Sequence, residues 1–338
     1  GDAQGTGRSA YSAAATGALK WKYSVTSSFN TLGSVVDENG DVYVSSYGQQ
    51  GVYAFEPDGT LKWSRTWIGP NSSSLALTDD LVIGAFGYSP ASIHALNRNT
   101  GATVWSHALS NQTASSPSVG PDGTVYIGDA NGMFFALRAT NGTLKWSKTF
   151  SGTTPLMYST AAFAPDGTIY AAEDDTLYAL DPTDGSTKWT APVGRTYKST
   201  VAVAPDGTIF VGGLQTVFAF NPNGTPKWTF GTDAFPGING TISLGADGTV
   251  YAAGDKLYAI TPNGSRKWTY AMPTEYWSST MVTADGTVYV GGTDGLYAVK
   301  DGALVWKYPS AKVEGVPAMA ADGTIYVNVS DGYVHAIK

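Results

Sequence analysis

Apolar and polar positions along this chain alternate over short stretches, and no segment sustains a 3.6-residue period. Segments such as Thr249-Val250-Tyr251-Ala252-Ala253 alternate or run apolar, as strands packed between neighbouring sheets do. Tyr, Val, Ile and Thr dominate them, the residues that strands prefer. Between them stand Asp-Gly and Asn-Gly pairs, which supply the positive φ of tight hairpins. The pattern predicts an all-β chain of short strands.

The strands recur in a fixed order. Trp21, Trp63, Trp105, Trp146, Trp189, Trp228, Trp268 and Trp306 follow one another at 38 to 43 residues, and only Trp67 and Trp277 fall outside the series. Asp-Gly-Thr runs in phase at Asp122, Asp166, Asp206, Asp247, Asp285 and Asp322, with Asn39-Gly40-Asp41 and Asp79-Asp80 as degenerate copies. An aromatic-Ala-apolar triplet is the third marker, as in Tyr53-Ala54-Phe55 and Tyr258-Ala259-Ile260. One unit therefore reads strand, Asp-Gly turn, strand, loop, strand, Asn/Asp-Gly turn, Trp-bearing strand. Four short strands in about forty residues make a propeller blade.

The partial units at the two ends decide between a ring and a solenoid. The last unit stops after Val334-His335-Ala336-Ile337, before a fourth strand, and Thr16 to Tyr23 carries a turn and a Trp strand without the three strands before it. Together they complete one blade. Closure of this kind removes the exposed sheet edge, whereas a solenoid wants polar capping repeats. The expected architecture is one eight-bladed β-propeller over residues 1–338, built of four-stranded antiparallel blades. Residues 16–24 form the outer strand of the closing blade, and 1–15 an N-terminal extension across the outside of the ring.

Composition narrows the function. Charged residues are 14% and the net charge is −7, with no basic run, so nucleic acid and anionic membrane surfaces are not expected partners. There is no Cys, which excludes disulfides and Cys-ligated metals, and no apolar run reaches 18 residues. The chain begins at Gly1 without a leader-like segment, which points to a processed or trimmed start.

Ala95-Leu96-Asn97-Arg98-Asn99-Thr100-Gly101-Ala102-Thr103-Val104-Trp105 resembles the repeat of PQQ-type quinoprotein propellers, roughly Ala-x-Asp-x-x-Thr-Gly-x-x-x-Trp. Ala179 to Trp189 and Ala136 to Trp146 match as well, and later copies such as Ala219 to Trp228 are shorter. The resemblance runs from Thr16 onward and implies that each Trp docks between adjacent blades. It does not carry the dehydrogenase chemistry. The adjacent-cysteine disulfide of those enzymes is absent, and their Glu, Asn and Asp around calcium match no spacing here. The chain is more similar to the cofactor-free branch, which includes the outer-membrane assembly lipoprotein, although that lipoprotein's lipid-modified Cys is missing. No cofactor is expected.

Propeller geometry puts the two Gly-rich hairpins of each blade on one face. The middle-hairpin loops and the less repetitive blade-to-blade crossings lie on the other, where function concentrates. Trp67, Tyr158, Arg195, Tyr197, Lys198, Glu275, Tyr276 and Trp277 are the candidate ligand-binding residues there, with Asp233, Phe235, Lys312 and Glu314 beside them. Aromatic faces among charged groups suit a saccharide or a peptide.

The middle-hairpin acids are Asp129, Glu173, Asp174, Asp175, Asp255, Asp294 and Asp331. They offer oxygen ligands to a hard cation, but they lack EF-hand spacing, and Asp is an ordinary turn residue, so no metal is expected. His94 and His335 occupy the aromatic slot of the triplet, and His107 has no evident partner, so a His-dependent nucleophilic system is not expected. Asn-x-Ser/Thr sequons at Asn71, Asn111, Asn141, Asn223, Asn239, Asn263 and Asn328 overlap turn positions. The expected function is a monomeric, non-catalytic binding or scaffold propeller, secreted or periplasmic, that holds a glycan or protein partner. A polysaccharide lyase is the alternative, and a quinoprotein dehydrogenase ranks last.

Overall fold

A computed structural model describes residues 7–12, 16–25, 31–46, 51–66, 73–86, 91–113, 115–150, 160–194, 196, 200–233, 238, 240–273 and 279–338. These residues form eight four-stranded antiparallel sheets, the blades of an eight-bladed propeller. Seven blades follow chain order from the innermost strand outward and span 31–66, 76–108, 118–149, 162–192, 201–231, 243–270 and 280–309. The eighth takes three strands from 313–337 and its outermost strand from Leu19–Ser24, which pairs with Tyr333–Ile337. Ala18 and Lys338 exchange both backbone hydrogen bonds at 2.8 Å, so the outer hairpin of this blade keeps its geometry without a covalent turn.

The repeat Trp does what the resemblance implies. Eight buried apolar clusters fill the gaps between neighbouring blades, and each contains or packs against one repeat Trp. The ring face of each Trp lies on a positive-φ glycine in the outer hairpin of the next blade. Trp105 lies on Gly142, Trp146 on Gly185 and Trp21 on Gly59, where an added Cβ would come within 2.5, 2.6 and 2.8 Å of the indole. The indole N–H donates to a backbone carbonyl in the same hairpin, as from Trp146 to Pro182 at 2.9 Å and from Trp63 to Arg98 at 2.9 Å. The long turn closes from Gly185 N–H to Asp181 O and the shortened one from Gly224 N–H to Asn221 O, so hairpins of both lengths bring their glycine to the wedge.

A β-bulge precedes every repeat Trp. The residue before it is left unopposed, as at Lys62 between the pairs Phe55–Leu61 and Ala54–Trp63. The bulge lets two adjacent side chains serve different neighbours: the Trp enters the gap between blades, and the Lys turns along its own blade.

The N-terminal extension departs from expectation. Residues 7–11 lie inside the ring, along the innermost strand of the seventh blade, and not across its outside. Ser9 N–H donates to Val282 O at 2.8 Å, Val282 N–H to Gly7 O at 3.0 Å, and Ala284 N–H to Tyr11 O at 3.2 Å. Innermost strands present unpaired backbone groups to the channel, and an extended segment satisfies them without any side-chain pattern.

Candidate functional site

The two faces differ in how their polar residues are used. On the hairpin face, the Asp of Asp-Gly-Thr accepts from the Thr backbone N–H, as Asp122 does from Thr124 at 3.0 Å and Asp322 from Thr324 at 2.9 Å. The bulged Lys then reaches the same Asp or Thr. Lys145 meets Asp122 at 2.9 Å, Lys267 meets Asp247 at 2.9 Å, and Lys188 meets Thr168 at 2.8 Å. Lys20 does so for the closing blade, reaching Asp322 at 3.3 Å. In the seventh blade Val305 takes the bulge and Lys300 supplies the charge to Asp285 at 3.2 Å. The first blade has Asn39-Gly40-Asp41 in the place of Asp-Gly-Thr, where Lys62 meets Asp41 at 2.6 Å and Arg98 of the second blade, itself buried, pairs with Asp37 and Glu38. Six bulged lysines of this face are thus engaged within their own blades.

The crossing face is the one on which the sequence analysis places a ligand. Trp67, Tyr158, Arg195, Tyr197, Lys198, Glu275, Tyr276 and Trp277 all lie outside the described residues, as does Phe235. Some neighbours are placed. Thr196 donates its backbone N–H (2.6 Å) and its hydroxyl (2.8 Å) to Asp174 O, which ties its crossing to the middle hairpin of the fourth blade. Asp233 pairs with Lys256 at 3.0 Å and Arg266 at 2.7 Å. Those two cations hold its carboxyl below the usual range. Arg266 also lies over the rings of Phe230 and Tyr258 at 5.9 Å. Backbone N–H of Ser330 donates to Lys312 O, and the backbone of Glu314 pairs with Asn328.

Among the middle-hairpin acids, Asp129, Asp255 and Asp294 serve the strands beside them. Asp129 is fully buried and accepts from the backbone N–H groups of Ser110, Asn111, Asn131 and Met133, and from the Ser110 hydroxyl. Asp255 accepts from Tyr258 OH at 2.6 Å and Asp294 from Tyr297 OH at 2.7 Å, so both acids bond the aromatic of their own blade's triplet. Burial, together with the Asp255 carboxylate, keeps the Tyr258 phenol protonated well above the usual range. Among the described residues no group of three or more His, Asp and Glu side chains is placed to hold a metal ion.

His335 occupies the same slot and uses both nitrogens, bonding Tyr308 OH at 2.8 Å and Asp331 at 3.1 Å. Burial lowers its pKa in spite of Asp331. His94 bonds Ser92 Oγ at 2.8 Å and packs edge-on to Phe86. His107 packs edge-on to Phe135. Asn328 of its sequon is buried, and its Oδ1 accepts from the Ser34 hydroxyl at 3.0 Å.

The axial channel is a feature the sequence analysis missed. A cavity of about 370 Å³ is bounded by the innermost strands of seven blades and by Gly7. Its polar lining consists of small hydroxyls, including Ser34, Ser74, Ser116, Thr160 and Thr200. The repeated Ser-Ser or Ser-Thr pair opening these strands, as at Ser73-Ser74, Ser115-Ser116 and Ser199-Thr200, was the available signal. Among the described residues no carboxylate or amide side chain lines this cavity, so the described lining offers no ligand set for a calcium-bound quinone. A second indentation, of about 450 Å³, opens on the hairpin face between Arg8 and the turns at Pro165, Pro205 and Ala246.

Comparison with known proteins follows the repeat. The family model described as "Outer membrane protein assembly factor BamB" matches residues 89–172, 154–275 and 253–338, well over half of the chain. Tetrathionate hydrolase of Acidithiobacillus ferrooxidans is 28% identical over 180 residues, 53% of this chain and 32% of that protein. Outer membrane protein assembly factor BamB of Yersinia pestis is 29% identical over 176 residues, 48% of this chain and 44% of that protein. The matches thus span less than half the length of either curated relative.

Among solved structures, BamB from Moraxella catarrhalis superposes with a TM-score of 0.73 at 16% identity, covering 93% of this chain and 100% of that one. Quinohemoprotein alcohol dehydrogenase from Comamonas testosteroni superposes at 0.75 and 17%, covering 97% and 78%. At these identities the likeness is one of fold.

Proposed function

The chain belongs to the PQQ-like propeller family whose model carries the description of the outer membrane assembly factor BamB, and from that premise we propose that it is a non-catalytic scaffold holding a protein partner on its crossing face, in the periplasm or outside the cell. One observation carries this reading. On the hairpin face six bulged lysines are spent on an Asp or Thr of their own blade, while the non-repeating sequence that can specify a partner lies in the crossings. Trp67 and Trp277 break the repeat's own Trp register there, and aromatic residues and Arg are the types that dominate protein hot spots.

The same aromatic faces suit a glycan, and an array of oligosaccharides beside a protein capture experiment separates the two ligands. With the partner identified, joint Trp67→Ala and Trp277→Ala substitution is expected to weaken binding by at least tenfold at unchanged melting temperature. Unchanged affinity would move the site off the crossing face. Turnover of tetrathionate, release of unsaturated sugars from a polysaccharide, or alcohol oxidation after quinone addition would each replace the scaffold reading with an enzyme.

A further inference from the structure

The segment inside the channel shows a site as well as an occupant. Residues 7–11 run parallel to Thr280–Val282 and continue past it, held by three backbone hydrogen bonds, with Arg8 opposite Val282. This is strand addition to the channel-facing edge of a sheet, the way many domains capture extended peptides. The edge has a selective first position. Gly7 sits at φ +57°, and a Cβ there would stand 3.0 Å from Ser243 Cβ and 3.3 Å from Thr280 O. Only glycine meets both conditions without strain. Beyond it, Arg8, Ala10 and Tyr11 are exposed, and the strand is held through the backbone of Ser9 and Tyr11.

The repeat itself offers the third of these contacts in some blades and withholds it in others. Ala284, which donates its N–H to Tyr11 O, directly precedes the Asp of Asp-Gly-Thr. In the third, fourth and fifth blades that position is Pro121, Pro165 and Pro205, which have no N–H to give. Proline at a strand edge prevents pairing. The seventh blade keeps the donor.

We propose that the channel-facing edge of the seventh blade is a binding site for an extended, glycine-led peptide segment, that residues 7–11 fill it in cis, and that a partner protein's segment of the same character replaces them. The proposal rests on the protein-binding reading above and adds where and how such a partner is held. Three backbone bonds with exposed side chains make the cis segment exchangeable. Its tether gives it a high local concentration, so a peptide in solution competes poorly until the tethered copy is weakened.

The test uses the full chain and a fluorescein-labelled peptide of the sequence Gly-Arg-Ser-Ala-Tyr, followed by anisotropy. Gly7→Val evicts the cis segment, and the peptide is expected to bind that variant at least tenfold more tightly than the unsubstituted chain. Adding Ala284→Pro, a change that three sibling blades already accept, is expected to return binding to the weak level. A peptide that starts with Val is expected to bind neither chain. Ser9→Pro removes the donor to Val282 O from an exposed stretch and gives a second eviction if Gly7→Val fails to fold. Equal affinity for evicted and unsubstituted chains, or binding indifferent to Ala284→Pro, overturns the proposal. If the peptide fails while a protein partner is still captured at the crossing face, this inference falls and the scaffold reading stands. If the peptide binds as expected while no partner is held at the crossing face, the channel site stands and the crossing-face reading falls.

Discussion

A single glycine and a single indole meet at each joint between blades, and the energetics are uneven. Filling the joint with an aromatic buries well over a hundred Å² of apolar surface. The exposed Lys–Asp pairs beside it are each worth about 0–1 kcal/mol. The Trp–Gly contact therefore dominates. Gly142→Ala forces a Cβ against Trp105 at φ +68°, and urea titration is expected to show a loss of roughly 2 kcal/mol, in the range of backbone strain at such positions. Trp146→Phe keeps most of the ring but drops the bond to Pro182 O, and about 1 kcal/mol is expected by the same measurement.

Two kinds of titrating residue set the pH dependence. Burial pushes Asp247 and Asp322 up, but Lys267 or Lys20 and the threonine N–H and OH outweigh it, bringing both to about 2. A carboxyl depressed in the folded state stabilises above its unfolded value of about 3.9 and loses that contribution as pH falls toward 2. Burial likewise lowers His94 and His335. Their contribution is complete above the unfolded value of about 6.5 and is lost as pH falls through the lowered folded values. Melting temperatures scanned from pH 8 to pH 2 should fall in two stages. Joint His94→Phe and His335→Phe should remove the upper stage, and Asp247→Asn with Asp322→Asn should shrink the lower one.

The element that matters most is the closing strand. Leu19–Ser24 completes the eighth blade, and Trp21 packs between Phe55 and Tyr326 with ring centroids 5.8 and 5.6 Å away. Removing residues 1–24 bares the edge of Tyr333–Ile337 and one wall of the gap to the first blade. Aggregation, or a melting temperature lower by several degrees, is expected in scanning calorimetry. Trp21→Ala isolates the wedge from the edge: it should lower the melting temperature while leaving the Ala18–Lys338 amides protected from hydrogen exchange. The bulge is the other informative element. It leaves Val104 and Val305 half exposed in the two blades without lysine there, so these surface valines follow from bulge geometry and need not mark a docking face.

At the scale of the whole ring, Thr16 Oγ1 lies 2.5 Å from Lys338 O beside the Ala18–Lys338 pair. A peptide bond from Lys338 to Thr16 would constrain the unfolded chain, but it needs residues 1–15 removed, and with them the strand along the seventh blade. Measured against a linear chain that starts at Thr16, this cyclisation should raise the melting temperature by several degrees, and an unchanged curve would show that the ring unfolds from another joint.

Much of this was legible from residue order. The spacing of the eight tryptophans, the phase of Asp-Gly-Thr and the two partial units prescribe eight blades and their closure, because each marker acts within its own hairpin or on the next one along. The Lys before six of the eight tryptophans was equally visible, but its role was not, since a strand pattern alone does not reveal a bulge. What only the tertiary structure decided is the place of residues 7–11 and the commitment of Asp129, Asp255, Asp294 and His335 to neighbouring backbone and phenols. Strand addition is made largely through backbone atoms that every residue except proline shares, so its marks are only Gly7 and an Ala284 where sibling blades have proline, and neither names the strand it pairs with. A carboxylate's partners depend on which distant strand closes over it, and that becomes defined only when the ring is shut.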